Sequence, residues 1–322
     1  MRSCASASRH ACPTVTEPAA PPVPIRSAAT VVLLREPDSR LEVLLTRRSA
    51  QLAFMGDLWV FPGGRLEPAD LAPDSLARVP SADHAACGSR LHALTGEALD
   101  AATALGLYVA GCRETFEECG VLLARRADGS ACDTAQIARL QAHRARTATE
   151  GATFLDVLRA EDLVLDVSQL VYWAHWITPS FEARRYDTRF FAVEVPAGQE
   201  ASVDRTETTE HGWVTVDEAF AAYAAGRMKF APPTLATLQD LRSCHALHGS
   251  LARMLAAERA RAVPPILPKW FEDGDHVTIV LPWDPQYATV PGEAVRAADA
   301  YPSYLTQLPS RRELQHRPGR RP

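Results

Sequence analysis

Residues 113–121 read Arg-Glu-Thr-Phe-Glu-Glu-Cys-Gly-Val and decide how the rest of the chain is interpreted. Glu114, Glu117 and Glu118 stand at i, i+3 and i+4, so a helix with about 3.6 residues per turn places them on one face. Like charges this close weaken a helix by about 0.2–0.5 kcal/mol per pair. A sequence that accepts this cost is expected to hold a cation at these carboxylates. Oxygen ligands alone favour Mg²⁺ before Ca²⁺, with Mn²⁺ as an alternative. A solvated acidic face, partly neutralised by Arg113 at i+4 from Glu117, is the competing interpretation.

A second stretch, residues 59–70, reads Trp-Val-Phe-Pro-Gly-Gly-Arg-Leu-Glu-Pro-Ala-Asp. A short apolar run that ends in Pro-Gly-Gly is typical of a strand entering a tight loop. Gly63 and Gly64 lack a Cβ, so the backbone there can approach a ligand closely. A plain turn after a strand is the alternative interpretation of these glycines.

Together the two stretches resemble the Nudix box, Gly-x5-Glu-x7-Arg-Glu-U-x-Glu-Glu-x-Gly-U, in which U is apolar. Gly64 matches the first glycine, Asp70 stands where the family has Glu, and residues 113–121 match the second half, with Thr115 at an apolar position. An insert of about residues 71–105 splits the box. The chain is similar in this respect to the Nudix branch of the peroxisomal coenzyme A diphosphatases, and the similarity continues through residues 28–242.

The resemblance implies an α/β fold, a Nudix-type α/β/α sandwich with a mixed sheet, and a metal site. The backbone carbonyl of Gly64 and the carboxylates of Glu114, Glu117 and Glu118 would hold Mg²⁺, or Mn²⁺ in its place. Arg113 would fix the orientation of a glutamate ligand without binding the ion itself. The three glutamates and this arginine are therefore the central predicted catalytic group.

Two carboxylates of a later loop, Glu207 and Glu210, are candidates for the catalytic base or for a further metal ligand. A simply acidic, solvated loop is the alternative. Arg65, Arg184 and Arg185 are candidates for binding substrate phosphates, because a guanidinium offers a planar fork to phosphate oxygens. A solvated role for the first of them and a structural role for one of the adjacent pair are the alternatives.

Hydrophobic periodicity predicts the elements around these motifs. A helix is expected over 100–123, and further helices over 133–158 and near 89–94. A strand is expected over 189–195. The long helix has an apolar stripe on the face away from the glutamates, formed by Leu105, Val109, Cys112 and Phe116.

The chain divides into three predicted parts. Residues 1–27 are poor in acids and rich in proline towards their end, which indicates a disordered tail. Residues 28–242 form the Nudix domain, whose insert at 71–105 either caps the cleft or is a plain surface excursion. Residues 243–322 form a helical and hairpin extension with a disordered end.

Composition excludes several classes of protein. The 322 residues are 47% apolar, so the chain can bury a substantial core. A net charge of −5 argues against broad nucleic-acid binding. Seven cysteines without a Cys-x-x-Cys pair argue against a disulfide framework, and no apolar run approaches the roughly 18 residues of a membrane span. We expect a cytoplasmic protein without nucleic-acid or membrane partners, and a homodimer is compatible with the sequence.

The resemblance implies a metal-dependent hydrolase that cleaves the diphosphate bond of a small-molecule nucleoside diphosphate derivative. Coenzyme A or acyl-CoA is the first substrate to consider. ADP-ribose, NADH and dinucleoside polyphosphates are alternative substrates, because loops and inserts set substrate choice within a fold. A non-catalytic Nudix module that binds or senses a ligand is the alternative from another functional class.

Overall fold

A mixed β-sheet of eight strands organises the protein. The computed structural model describes residues 23–51, 56–93, 96–180, 182–202, 208–273, 276–295 and 312–315. The strands are β1 (Ile25–Arg35), β2 (Glu42–Arg48), β3 (Trp59–Val60), β4 (Gly63–Arg65), β5 (Ala124–Arg126), β6 (Leu163–Leu165), β7 (Val171–Ile177), β8 (Arg185–Glu194), β9 (Thr208–Thr215), β10 (Pro265–Ile266), β11 (Lys269–Asp273), β12 (His276–Val280) and β13 (Arg312–Gln315). The helices are α1 (Pro73–Leu76), α2 (Ser81–Arg90), α3 (Ala101–Cys119), α4 (Thr134–Glu150), α5 (Phe154–Ala160), α6 (Val216–Ala224), α7 (Pro232–His248) and α8 (Leu251–Glu258).

The main sheet has the order β10-β7-β8-β1-β2-β3, and β4 pairs with β1 while β9 pairs with β2. The pairs β1–β8 and β7–β10 are parallel, and the other pairs of this sheet are antiparallel. Strands β11, β12 and β13 form a separate antiparallel sheet, and β5 pairs with β6. The mixed character of the main sheet agrees with the predicted fold class.

Helices cover both faces of the sheet, and β1 shows why. Its residues Ala29, Val31 and Leu33 belong to the core that contains α3, whereas Val32 and Leu34 belong to the core that contains α7 and α8. Successive side chains of a strand point to opposite faces, and both sets are fully buried. A strand apolar on both faces must lie between two layers, which gives the predicted α/β/α sandwich.

Helix α3 begins and ends where its capping residues dictate. The Asp100 side chain accepts a hydrogen bond from the Thr103 N–H at 2.9 Å and caps the first turn. Gly120 adopts a left-handed conformation with φ of 69° and ends the helix, so the predicted extension to residue 123 is wrong. The predicted apolar stripe is buried along its whole length.

Two other predicted helices are corrected. The helix expected over 133–158 is two helices, α4 and α5, separated by Gly151 at φ of 71°. The helix expected near 89–94 lies earlier, as α2. Helix α7 continues past residue 243 to His248, and β13 pairs with β12.

The insert is part of the core. Val79, Cys87 and Leu91 are buried and pack in the same apolar cluster as α3. The Arg78 carbonyl accepts a hydrogen bond from the Leu165 N–H at 2.8 Å, which ties the insert to β6. A plain surface excursion is therefore excluded for this part of the insert.

Two composition-based expectations can be compared with the described residues. Over that part of the chain, no helix combines the length and apolarity needed to cross a membrane. The cysteines described there, Cys87, Cys112, Cys119, Cys132 and Cys244, carry free thiols.

We predict that Leu91→Ala lowers the free energy of unfolding by about 2–5 kcal/mol, because it opens a cavity between the insert and α3. Equilibrium unfolding in urea measures the change. Leu247→Ala on α7 is the matched control, since 71% of Leu247 is exposed, and we expect a change within about 0.5 kcal/mol. Equal effects of the two substitutions would show that the insert does not contribute to the core.

Candidate functional site

The two halves of the split motif meet where β4 runs beneath α3. Gly63 and Gly64 pair with Thr30 and Ala29 of β1. The Gly63 N–H donates a hydrogen bond to Glu118 Oε2 at 3.1 Å. The chain thus brings the glycine bend and the glutamate helix into direct contact, although the insert separates them in sequence.

Gly64 allows the closest part of this contact. A Cβ on Gly64 would lie 2.1 Å from Glu114 Oε1 and 2.4 Å from its Cδ. Any side chain at position 64 would therefore displace the Glu114 carboxylate. The Glu114 carboxylate occupies the volume that a side chain at position 64 would need.

Arg113 is held by a buried ion pair with Asp70. Its Nε and Nη2 donate to the two carboxylate oxygens of Asp70 at 2.8 and 2.9 Å, in the bidentate geometry that gives the strongest such pairs. Nη2 also donates to the Arg65 carbonyl at 3.1 Å. Asp70 is 1% exposed and accepts a further hydrogen bond from the Glu67 N–H at 2.8 Å. The guanidinium therefore has a fixed position and orientation.

The remaining arm of Arg113 reaches the glutamates. Nη1 donates to Glu114 Oε1 at 2.9 Å and to Glu117 Oε2 at 3.0 Å. The second contact is the i,i+4 pair that the sequence predicts. Arg113 orients two of the three carboxylates, as the family resemblance implies, and Asp70 orients Arg113 in turn.

Burial and mutual repulsion disfavour the ionised form of the glutamates. Burial raises the pKa of Glu114 to about 7, against the opposing charge of Arg113 and with a further rise from Glu117. Burial also raises the pKa of Glu117. Burial alone would lower the pKa of Arg113, but the hydrogen bonds with Asp70 and the glutamate charges raise it above its ordinary value. Positive charge is therefore stabilised here, and the ionised carboxylates require it.

The donor set fits a hard divalent ion. Glu114, Glu117 and Glu118 supply carboxylate oxygens beside the Gly64 backbone, which are the ligands that Mg²⁺ and Mn²⁺ prefer. Across the described residues, no three acidic, histidine or cysteine side chains converge as a ready-made ion site. Arg113 Nη1 lies between two of the glutamates and donates to both. Asp70 holds Arg113 through its other nitrogens.

The predicted phosphate-binding arginines have different environments. Arg65 and Arg184 are exposed. Arg185 is buried, and its guanidinium donates to the Thr178 carbonyl at 3.0 Å and to Glu293 at 2.5 Å. Arg185 therefore holds the C-terminal extension against the sheet, which gives it the structural role left open by the sequence.

The two late-loop carboxylates also differ. Glu210 lies on β9, is exposed, and forms an ion pair with Arg47 of β2 at 2.6 Å. Arg47 also binds Asp57, whose pKa is lowered by hydrogen bonds from Lys229 and Arg47. Glu210 thus belongs to an ion cluster at the β2–β9 side of the sheet. Glu207 lies outside the described residues.

The sequence indicated that Asp70 belongs to the site but did not predict which residue it binds. Its place at the first acidic position of the box was the signal, and its fork with Arg113 was not foreseen. Thr115, the departure from the apolar position of the box, is fully buried, and its hydroxyl donates to the Gly111 carbonyl at 2.7 Å. The polar group is satisfied within the helix, so the departure is compatible with burial.

Most of the chain matches a known protein family. A family model, the NUDT19 Nudix domain, matches residues 25–241. The chain belongs to the NUDT19 Nudix domain family. The resemblance seen in the split motif is thereby confirmed.

Two relatives illustrate the similarity of this Nudix chain. It is 27% identical over 232 residues to the acyl-coenzyme A diphosphatase NUDT19 of Xenopus laevis, covering 64% of this chain and 60% of that protein. It is 29% identical over 239 residues to the protein of the same name from Gallus gallus, covering 64% and 63%. The chain therefore spans less than two thirds of the length of these relatives.

A solved structure supports the fold. The NUDIX hydrolase from Alicyclobacillus acidocaldarius matches with a TM-score of 0.54 and 24% identity, covering 73% of this chain and 96% of that one. The predicted Nudix-type α/β fold is confirmed.

We predict that Asp70→Ala lowers the free energy of unfolding by about 3–5 kcal/mol, because it leaves the buried Arg113 guanidinium without its carboxylate. Urea unfolding measures the loss. Asp74→Ala removes an exposed partner of Arg159 in the neighbouring turn and should cost less than about 1 kcal/mol. A loss for Asp70→Ala as small as that of the control would contradict the structural importance of the fork.

Proposed function

We propose that this chain is a metal-dependent hydrolase that cleaves the diphosphate bond of a nucleoside diphosphate derivative. The observation that carries the proposal is the packing of Glu114 and Glu118 against Gly64 and Gly63 in a member of the Nudix family. This packing brings acidic side chains, the closely approaching backbone of the two glycines and a fixed arginine together at one place. With a divalent cation bound to these ligands, the site would suit a substrate whose reacting group is an anion.

Glu114, Glu117, Glu118 and the Gly64 carbonyl are the residues that would hold Mg²⁺, or Mn²⁺. When bound, the ion supplies charge neutralisation for phosphate oxygens and lowers the pKa of a bound water. The fork between Asp70 and Arg113 keeps the guanidinium in place while the glutamates adjust.

The exposed arginines supply the remaining positive charge. Arg65 follows the glycine bend directly, and its own carbonyl is held by Arg113, so its side chain starts from a fixed backbone. We assign Arg65 and Arg184 to contacts with substrate phosphates. Glu207 and Glu210 remain the proposed candidates for the base that accepts a proton from water, and Glu210 would have to leave Arg47 to act.

Coenzyme A and acyl-CoA are the proposed substrates. The support is the printed activity of the relatives from Xenopus laevis and Gallus gallus and the family model over the domain. Hydrolysis of the diphosphate of coenzyme A adds water across one P–O–P bond and gives 3′,5′-ADP and phosphopantetheine. ADP-ribose, NADH and dinucleoside polyphosphates offer the same bond with different attached groups.

Purified full-length protein tests the proposal. Each substrate is incubated with Mg²⁺, with Mn²⁺ or with excess chelator, and the products are separated by chromatography. We expect metal-dependent release of 3′,5′-ADP from coenzyme A or acyl-CoA. Release of a nucleoside monophosphate only from another substrate would support the hydrolase and reject the coenzyme A assignment. Ligand binding without turnover of any substrate would support a non-catalytic module instead.

We predict that Glu117→Gln and Glu118→Gln each lower kcat by roughly 100- to 1000-fold or more, because each removes a charge at the reacting centre. Metal affinity should fall as well, while the circular dichroism spectrum and melting temperature stay near those of the parent. Glu194→Gln, at an exposed position at the end of β8, is the control and should keep parental kinetics. Parental rates in either site variant would refute the assignment.

Substitutions of the two glycines should separate the site from the fold. The three atoms nearest to a Cβ on Gly64 all belong to the end of the Glu114 side chain. A Cβ on Gly63 would instead lie 2.4 Å from the Ala29 carbonyl oxygen and 2.7 Å from the Thr30 Cα. We predict that Gly64→Ala leaves the protein folded but weakens Mn²⁺ binding on the order of 10-fold or more. Gly63→Ala should destabilise the fold by about 1–3 kcal/mol.

Mn²⁺ titration followed by electron paramagnetic resonance and urea unfolding give the two measurements for each variant. Parental Mn²⁺ affinity in folded Gly64→Ala would show that the position of Glu114 does not matter for the ion.

A further inference from the structure

Arg144, on α4, binds the end of the helix that carries the glutamates. Its Nε donates to the Glu117 carbonyl at 3.1 Å and its Nη2 to the Glu118 carbonyl at 2.7 Å. Its Nη1 donates to the carbonyl and the hydroxyl of Ser202, both at 2.8 Å. One guanidinium thus joins α3, α4 and the segment after β8.

These contacts complete the hydrogen bonding of the helix end. The last four carbonyls of a helix have no partner within the helix. In α3, the Phe116 carbonyl accepts from the Gly120 N–H at 2.9 Å and the Cys119 carbonyl from the Ser202 N–H at 2.8 Å. The two carbonyls between them are those that Arg144 binds. The last turn is therefore fixed at every carbonyl.

The last turn needs this support for an electrostatic reason. A helix has a partial negative charge at its C-terminus, and acidic side chains there are unfavourable. Glu117 and Glu118 both lie in the last turn of α3, next to each other and close to Glu114. Helix ends fray more readily than helix centres. A cation at the carbonyls opposes both effects.

Gly120 leaves the room that Arg144 uses. A Cβ there would lie 2.8 Å from Arg144 Nη1 and 3.1 Å from Ser202 Oγ. Gln141, one turn earlier on α4, donates from its side-chain amide to the Gly120 carbonyl at 3.0 Å. Gln141 and Arg144 of α4 therefore both bind backbone carbonyls at the C-terminal end of α3.

From these contacts we infer that Arg144 is a positioning residue for the proposed metal site. It holds the backbone of Glu117 and Glu118, so that their carboxylates start from fixed points on the side of the helix facing Gly63 and Gly64. The inference rests on the proposed function for its catalytic consequence, but its effect on metal binding can be measured without turnover.

The test uses Arg144→Met, Arg144→Lys and a control on the same helix, Arg139→Met. Arg139 is exposed and pairs with Glu161, away from α3, so its loss should matter little. For each full-length variant, Mn²⁺ affinity is measured by electron paramagnetic resonance below the melting temperature. Melting temperature, kcat and KM are measured alongside.

We expect Arg144→Met to weaken Mn²⁺ binding about 10- to 100-fold and to lower kcat with a smaller change in KM for substrate. Arg144→Lys should lie between this variant and the parent, because an ammonium keeps the charge but cannot hold two carbonyls with a planar fork. Arg139→Met should stay within about twofold of the parent.

A purely structural cap gives a different result. If Arg144→Met lowers the melting temperature but keeps parental Mn²⁺ affinity and kcat in the folded protein, the inference is overturned. If no substrate is hydrolysed but Mn²⁺ binding falls as expected, the positioning role stands and the proposed function fails. If hydrolysis is normal in the parent and unchanged in Arg144→Met, the proposed function stands and the positioning role fails.

Discussion

The absence of a side chain at Gly64 sets the distance between the bend after β3 and α3. Glu114 occupies the volume that a Cβ would fill, with its carboxylate oxygen 2.1 Å from that position. At Gly63 the same closeness involves backbone, which lies next to Ala29 and Thr30 of β1. The glycine pair therefore determines both how the strand joins the sheet and how near the acidic helix can come. Every other feature of the site follows from this close approach.

Close approach also concentrates negative charge, and the two arginines oppose it from different directions. Arg113 reaches Glu114 and Glu117 from the side of the helix and is fixed by Asp70. Arg144 reaches the carbonyls of Glu117 and Glu118 from beyond the helix end. The first neutralises side chains and the second neutralises backbone dipoles. Together they let an acidic cluster occupy the end of a helix that would otherwise disfavour it.

Features encoded in short segments were predictable from the sequence. The glutamate spacing and the apolar stripe of α3 are local patterns, and the structure keeps them. Gly63 and Gly64, predicted to lie in a tight loop, instead belong to β4 and pair with β1. Gly151, followed by the Thr153–Asp156 capping box, also carried a local signal that ends α4 and starts α5, but the helical periodicity on both sides concealed the break. β8 extends to Arg185, before the predicted start at 189, because it pairs in parallel with β1 from Ile25 onwards. That partner is distant in sequence, so no local pattern could give the boundary.

The same distinction explains the residues of the site. Arg113 and Glu117 are four residues apart, so their ion pair was predictable from helix geometry. Asp70 binds Arg113 from the other end of the insert, and Arg144 of α4 binds the end of α3. Both partners are distant in sequence, so only the folded chain shows them.

The insert shows why a split motif can still form one site. The two halves of the Nudix box meet through the pairing of β4 with β1 and the packing of α3 over both, so chain continuity between the halves is unnecessary. The closure entropy of a longer connection grows only slowly with its length, and burial of Val79, Cys87 and Leu91 offsets it. An insert that contributes to the core also packs against α3. The glutamate helix is therefore supported by the insert within the core and by α4 at its C-terminal end.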